Sequence, residues 1–120
     1  MPKNRLYWGI MQIDIRTQNL ELNGPLRTFI EEKMRDIERL LGDVGPVHAR
    51  IEVGIPSAHH QTGPIYYAEA NIDINGTLLR AESKNYDMHA AIVDVKEELK
   101  ILVKKFKERL TEKERKPTEA

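Results

Sequence analysis

Four segments of this 120-residue chain alternate apolar and polar side chains, and this pattern restricts the fold more than any other feature. Successive side chains of a β-strand point to opposite faces, so each segment buries one face and leaves the other in water. The four segments are 11–17, 47–53, 66–74 and 79–83. Strands of this type favour a sheet that is covered on one side only.

Two further segments carry apolar residues at helical spacing. The first begins near Asn23, a suitable N-cap, and ends at Gly42, a common helix terminator. The second runs from Asp87 to about Lys113, which corresponds to a helix of about 40 Å. Its predicted core face consists of Met88, Ala91, Ile92, Val95, Leu99, Leu102, Phe106 and Leu110. Between the third and fourth strands, Asn75-Gly76 indicates a type I′ hairpin turn.

The resulting order, β-α-β-β-β-α, predicts an α+β two-layer sandwich: a four-stranded sheet with two helices packed on one face. We expect one domain at 11–113, an N-terminal extension at 1–10 and a disordered tail at 114–120. The length suits a single domain.

The composition excludes several classes of function. The chain has no cysteine, which removes disulfides, thiolate metal sites and cysteine nucleophiles. It has neither a membrane-length apolar run nor a secretory signal pattern, so we expect a cytoplasmic protein. His59-His60 lacks the further ligands of a metal site, and no phosphate-binding or nucleophile motif is present. We therefore expect no enzyme activity, cofactor or small-molecule substrate.

The charges balance over the whole chain but not along it. There are 19 basic and 19 acidic residues, yet segments 1–10, 11–95 and 96–120 carry net charges of +2, −5 and +3. This asymmetry indicates one basic working surface on an acidic body.

Four lysines of the second helix, Lys96, Lys100, Lys104 and Lys107, fall within an arc of about 80° beside its apolar face. Lys105 lies along the other edge of that face. One explanation for these lysines is an exposed helix face on which they form ion pairs with acidic residues, and the other is a phosphate-binding surface. None of the four positions is acidic, which speaks against ion pairing. Lys33 lies within the apolar arc of the first helix. We expect Lys33 and the four lysines of the second helix to face one groove between the two helices, which Arg27 extends.

Three motifs resemble the ribosome hibernation-promoting factor family, formerly labelled sigma-54 modulation proteins, in its short form. They are Met11-Gln-Ile-Asp-Ile, Leu26-Arg-Thr-Phe-Ile with Lys33, and Tyr86-Asp-Met-His-Ala-Ala-Ile92 before a lysine-rich helix. The resemblance covers nearly all of 11–110, and Met11 aligns with the usual family start, so we expect 1–10 to be an extension from an upstream start. The chain departs from the family where Ile101-Leu102 replaces Arg-Gln, His89 replaces tyrosine and Val93 replaces an acidic residue.

The resemblance implies a non-enzymatic bacterial factor that binds ribosomal RNA of the small ribosomal subunit in the cytoplasm. Such a factor competes with mRNA and tRNA and inhibits translation in idle ribosomes, under stress and in stationary phase. The implied RNA contacts are Arg27, Lys33, Lys96, Lys100, Lys104, Lys105 and Lys107. Two alternatives stay open: a general double-stranded RNA-binding module, and a transcription-modulating protein-interaction domain.

Overall fold

A computed structural model describes residues 11–56 and 65–115 of the chain. Within them the predicted order β-α-β-β-β-α is confirmed. The elements are β1 (Gln12–Gln18), α1 (Gly24–Leu41), β2 (Val47–Gly54), β3 (Tyr66–Ile74), β4 (Thr77–Asn85) and α2 (Met88–Arg115). Residues 1–10, the pair His59-His60 and residues 116–120 lie outside the described part.

The four strands form one sheet in the order β1-β2-β3-β4. β1 runs parallel to β2, with α1 as the connection, and the other two pairs are antiparallel. The predicted turn between β3 and β4 is confirmed, because Asn75 and Gly76 both have positive φ angles, 53° and 96°. The Gly76 N–H donates to the Asp73 carboxylate over 3.0 Å, which ties the turn to the end of β3.

Both helices pack on the same face of the sheet, as the one-sided strands predict. The Asn23 side chain caps α1 by accepting a hydrogen bond of 2.9 Å from the Leu26 N–H. The largest fully buried side chains of the core come from both layers: Ile30, Met34, Ile37, Leu41, Val53, Ile72, Ile74, Ile92, Val95, Leu99 and Val103. The other face of the sheet carries polar side chains. No described helix has the length and apolar character needed to cross a membrane.

The far end of α2 extends beyond this core. Phe106 is the last buried residue among the described side chains of α2, which end at residue 112, and residues 107–112 are all exposed. Leu110, expected on the apolar face, is 39% exposed. The helix continues to Arg115, two residues beyond the predicted end of the domain at 113.

At the other end of the sheet, the backbones of β1 and β2 approach each other closely. A Cβ atom on Gly54 would lie 2.6 Å from the Gln18 carbonyl oxygen, so only glycine fits there. The Ile55 N–H donates to that same carbonyl over 3.0 Å. Asn19, with φ at 60°, donates from its side chain to the Ile55 carbonyl over 2.7 Å. These contacts fix the register of the parallel pair.

Candidate nucleic-acid interface

The two helices lie side by side and run in the same direction. Near their N-terminal ends, the Phe29 and His89 rings meet edge to face, with centroids 4.5 Å apart. About two turns further on, Asp36 of α1 forms an ion pair of 3.1 Å with Lys96 of α2. At the end of α1, Lys107 Nζ donates to the Leu40 carbonyl over 2.8 Å. The side of α2 that carries the four lysines therefore faces α1.

A groove of about 1000 Å³ lies where α1 ends beside the second half of α2. Its floor is apolar: Val103 is buried, while Leu40 and Ile101 are 38% and 57% exposed. The basic side chains that line it are Lys100, Lys104 and Lys107, and the acidic ones are Glu97, Glu108 and Glu112. We call this site the lysine groove.

The three lysines of the groove differ in how they are held. Lys100 is within 3.6 Å of Glu97, one turn earlier on the same helix, and its side chain remains 44% exposed. Lys107 is held by a neutral acceptor, the Leu40 carbonyl. Lys104 forms no ion pair with any described residue. Because exposed ion pairs are weak, all three ammonium groups are available to bind phosphate oxygens.

Lys96 is in a different situation, although it belongs to the same group of four lysines on one side of α2. Its side chain is only 17% exposed, and its ammonium group bonds to Asp36. The hydrogen bond from Lys96 holds the pKa of Asp36 below its usual value, and Arg39 and Lys33 act in the same direction. We expected that the four lysines on this side of α2 do not form ion pairs. That expectation is wrong for Lys96, and also in part for Lys100.

Lys33 lies on the side of α1 that faces α2. Its Nζ is 4.8 Å from the centroid of the Phe29 ring, within the range of a cation–π contact. It does not reach the lysine groove, but lines a smaller pocket on α1 with Asp36 and Arg39. The lysine groove thus contains lysines of α2 beside Leu40 of α1. Lys33 lies about two turns nearer the start of α1.

Two predicted contacts lie away from this groove. Arg27 is two residues before Phe29, which places it about 160° around α1 from the side that meets α2. It is 3.9 Å from Glu31, so the expectation that Arg27 extends the groove is wrong. Lys105 is exposed on the opposite edge of α2, as the sequence indicated, and is not among the groove's lining residues. The helix geometry does not bring either side chain to the lysine groove.

Other features of the site were not predicted. Val103 was not assigned to the core, yet it is fully buried because α1 covers that edge of the α2 apolar arc. Leu40 and Ile101, which make the groove partly apolar, gave no separate signal in the sequence. Within the described residues, no group of three or more metal-ligating side chains comes together.

Comparison with known proteins agrees with the fold and the motifs. Residues 13–111 match the family described as Sigma 54 modulation protein / S30EA ribosomal protein. The ribosome hibernation promotion factor of Staphylococcus aureus is 30% identical over 88% of this chain and 53% of its own length. That of Lactococcus lactis is 24% identical over 88% and 55%. The chain thus spans about half the length of these curated relatives.

Solved structures give the same result. The N-terminal domain of Protein Y from Thermus thermophilus superposes with a TM-score of 0.68 and 28% identity, over 80% of this chain and 99% of that domain. A ribosomal subunit interface protein from Coxiella burnetii has the same fold, with a TM-score of 0.62 and 18% identity over 81% and 98%. With the match over 13–111, the predicted family is confirmed, and this chain belongs to the Sigma 54 modulation protein / S30EA ribosomal protein family.

Proposed function

We propose that this protein is a cytoplasmic ribosome hibernation factor that binds the small ribosomal subunit and inhibits translation in idle ribosomes. The observation that carries the proposal is the lysine groove, which concentrates Lys100, Lys104 and Lys107 in a chain with no net charge. The names of the two curated relatives, both ribosome hibernation promotion factors, support the same function.

Ribosomal RNA is the partner that suits this surface. A row of ammonium groups along a helix matches the repeating charge of a phosphate backbone better than it matches any small substrate. Leu40 and Ile101 add apolar surface beside the lysines, where the sugar and base of a nucleotide pack.

The proposed mechanism is steric and requires no chemical step. The domain occupies the channel of the small subunit through which mRNA and tRNA pass, and its RNA contacts hold it there. The exposed end of α2, residues 107–112, extends beyond Phe106 and gives the basic surface access to a recessed RNA site. Inhibition follows because mRNA and tRNA compete for the same space.

The proposal is tested by sedimentation with separated ribosomal subunits and by translation in a reconstituted system. The wild type is expected to sediment with the small subunit, to be displaced by mRNA with tRNA, and to inhibit translation. The variant Lys100→Glu with Lys104→Glu should lose all three properties, since it removes two phosphate contacts and adds repulsion. Lys96 is left unchanged because of its ion pair with Asp36.

Lys105→Glu with Arg109→Glu is the matched control, since both residues lie on the opposite edge of the same helix and the change in charge is identical. We expect it to retain most of the binding. Equal losses in the two double variants would contradict the assignment of the groove. Preference of the wild type for free duplex RNA over ribosomes would instead identify a general duplex-binding module.

A further inference from the structure

Asp36 is the acidic residue most closely surrounded by the basic side chains of the helix pair. One of its carboxylate oxygens bonds to Arg39, one turn later on α1, and the other lies 3.1 Å from Lys96 on α2. Lys33 also lies close enough to stabilise its charge. Arg39 of α1 and Lys96 of α2 thus share one carboxylate, which neutralises part of the basic surface.

The effect is greatest at Lys96. Its position on α2 is within about 40° of Lys100 and Lys107, so its ammonium group points to the same side as theirs. Its side chain is nevertheless 17% exposed, against 44% for Lys100, and its charge is already compensated by Asp36. A phosphate group that approaches Lys96 must replace a carboxylate and then remain beside that same negative charge.

We propose that Asp36 determines specificity by competing with RNA phosphates for Lys96, so that Lys96 contributes little to binding of arbitrary RNA. This inference rests on the proposed function and concerns the regulation of the same site. RNA that offers only scattered phosphates meets the lysines of the groove but gains nothing at Lys96, and it is repelled by Asp36. Only an RNA surface held in place by several other contacts compensates for displacing the carboxylate.

The direct test is Asp36→Asn, which keeps the shape of the side chain and removes its charge. Binding of a single-stranded poly(U) oligonucleotide and of the small subunit would be measured at 50 and 200 mM salt. One additional phosphate contact should enlarge the salt-induced loss of poly(U) affinity by about threefold. Glu31→Gln is the matched control: it changes the net charge equally on α1, but its partner is Arg27, on the far flank.

A second pair of variants identifies Lys96 as the residue through which Asp36 acts. Lys96→Ala should weaken poly(U) binding only slightly in the wild type, but should remove most of the gain in Asp36→Asn. Non-additivity of this kind is expected only for groups in contact. Asp36→Ser, which is also neutral, should reproduce the gain, and thermal unfolding at pH 7 verifies that each variant is folded.

The proposal is overturned if Asp36→Asn and Asp36→Ser bind poly(U) no more tightly than Glu31→Gln, or if Lys96→Ala has the same effect in both backgrounds. Failure of the proposed function would look different. In that case the wild type would not sediment with the small subunit at all, whatever residue stands at position 36.

Discussion

The polar face of the sheet and the helical face both carry many charges, but they arrange them in opposite ways. On the sheet, charges of both signs share one face. Between β1 and β2, Asp14 stands beside Arg50 and Arg16 beside Glu52, so that a basic group flanks one end of the acidic row Glu52, Glu69 and Glu82 across β2, β3 and β4. On α2, the segment 99–109 contains five basic residues and one acidic residue, Glu108, and the other two acidic residues that line the lysine groove, Glu97 and Glu112, stand on either side of that segment.

The difference shows why the number of charges is a poor guide to a binding surface. Interleaved charges cancel each other within a few ångströms, whereas segregated charges produce a field that reaches a distant polyanion. Ion pairing strengthens the cancellation on the sheet, where Arg80 is 2.9 Å from Glu69 and 3.5 Å from Glu82. The sheet face thus has the properties of a scaffold surface, and the lysine groove those of a binding surface.

The largest expected effect is on stability, and it comes from a change in the sheet that leaves every charge in place. Gly54→Ala places a methyl group against the Gln18 carbonyl and should lower the free energy of unfolding by about 1–3 kcal/mol. Each kcal/mol corresponds to a fall in melting temperature of about 4–8 °C. Gly24→Ala is the control, because nothing lies within 4 Å of the added atom. Equal melting temperatures for the two variants would show that the strands separate to accommodate the methyl group.

The converse experiment changes charges without disturbing the scaffold. Lys100→Gln with Lys104→Gln should weaken binding to the small subunit by roughly tenfold or more, and lower its salt dependence by about two units of slope. Arg16→Gln with Lys84→Gln removes the same charge from the sheet face and should leave the slope nearly unchanged. Both variants should melt close to the wild type. Similar slopes for the two variants would mean that overall charge, and not its location, governs binding.

A smaller effect concerns the contact between the helices at acid pH. The folded protein holds the pKa of Asp36 below 3.8, chiefly through its hydrogen bond from Lys96. This interaction therefore stabilises the fold above that pH, and the stabilisation is lost as the pH falls through the lowered pKa. The difference in free energy of unfolding between wild type and Asp36→Asn should accordingly shrink between pH 7 and pH 3. Urea titrations at the two pH values measure it, and a constant difference would contradict the ion pair.

The smallest effect is spectroscopic and belongs to the sheet face. Partial burial and the neighbouring Glu52 carboxylate raise the pKa of Tyr67 to about 12, and its hydroxyl donates to Gln18 over 3.0 Å. The ultraviolet difference between wild type and Tyr67→Phe should therefore titrate near pH 12. Because the folded state holds this proton more tightly, its contribution to stability is lost as the pH rises from about 10 to 12. Titration near pH 10 would show that neither partial burial nor the Glu52 carboxylate raises the pKa of Tyr67.

The fold could be predicted from local sequence patterns because each strand, helix and turn depends mainly on the residues within it. Alternation identified the buried face of every strand, and Asn23, Gly42 and Asn75-Gly76 marked the helix and turn boundaries. The burial of Val103 was not predicted because this residue lies at the edge of the α2 apolar arc. Burial there depends on which side α1 occupies, and the pattern of α2 alone does not contain that information.

The site was predicted less completely, for two physical reasons. The partner of Lys96 is Asp36, on another helix and 60 residues away, so a search for ion pairs within α2 does not find it. The misplacement of Arg27 is of another kind, because six residues separate it from Lys33 and that step turns a helix by about 240°. The sequence therefore already contained the signal that Arg27 lies on a different flank.

The hydrogen bond from Lys107 to the Leu40 carbonyl has a consequence for the proposed complex. Most surface lysines lose conformational entropy when they bind a ligand. The ammonium group of Lys107 is already immobilised by folding, on an acceptor that carries no net charge and so leaves its positive charge intact. It has three N–H donors, and one bond to Leu40 leaves two for a phosphate. Lys107 is thus a preorganised cation, which the fold positions in advance at low entropic cost to binding.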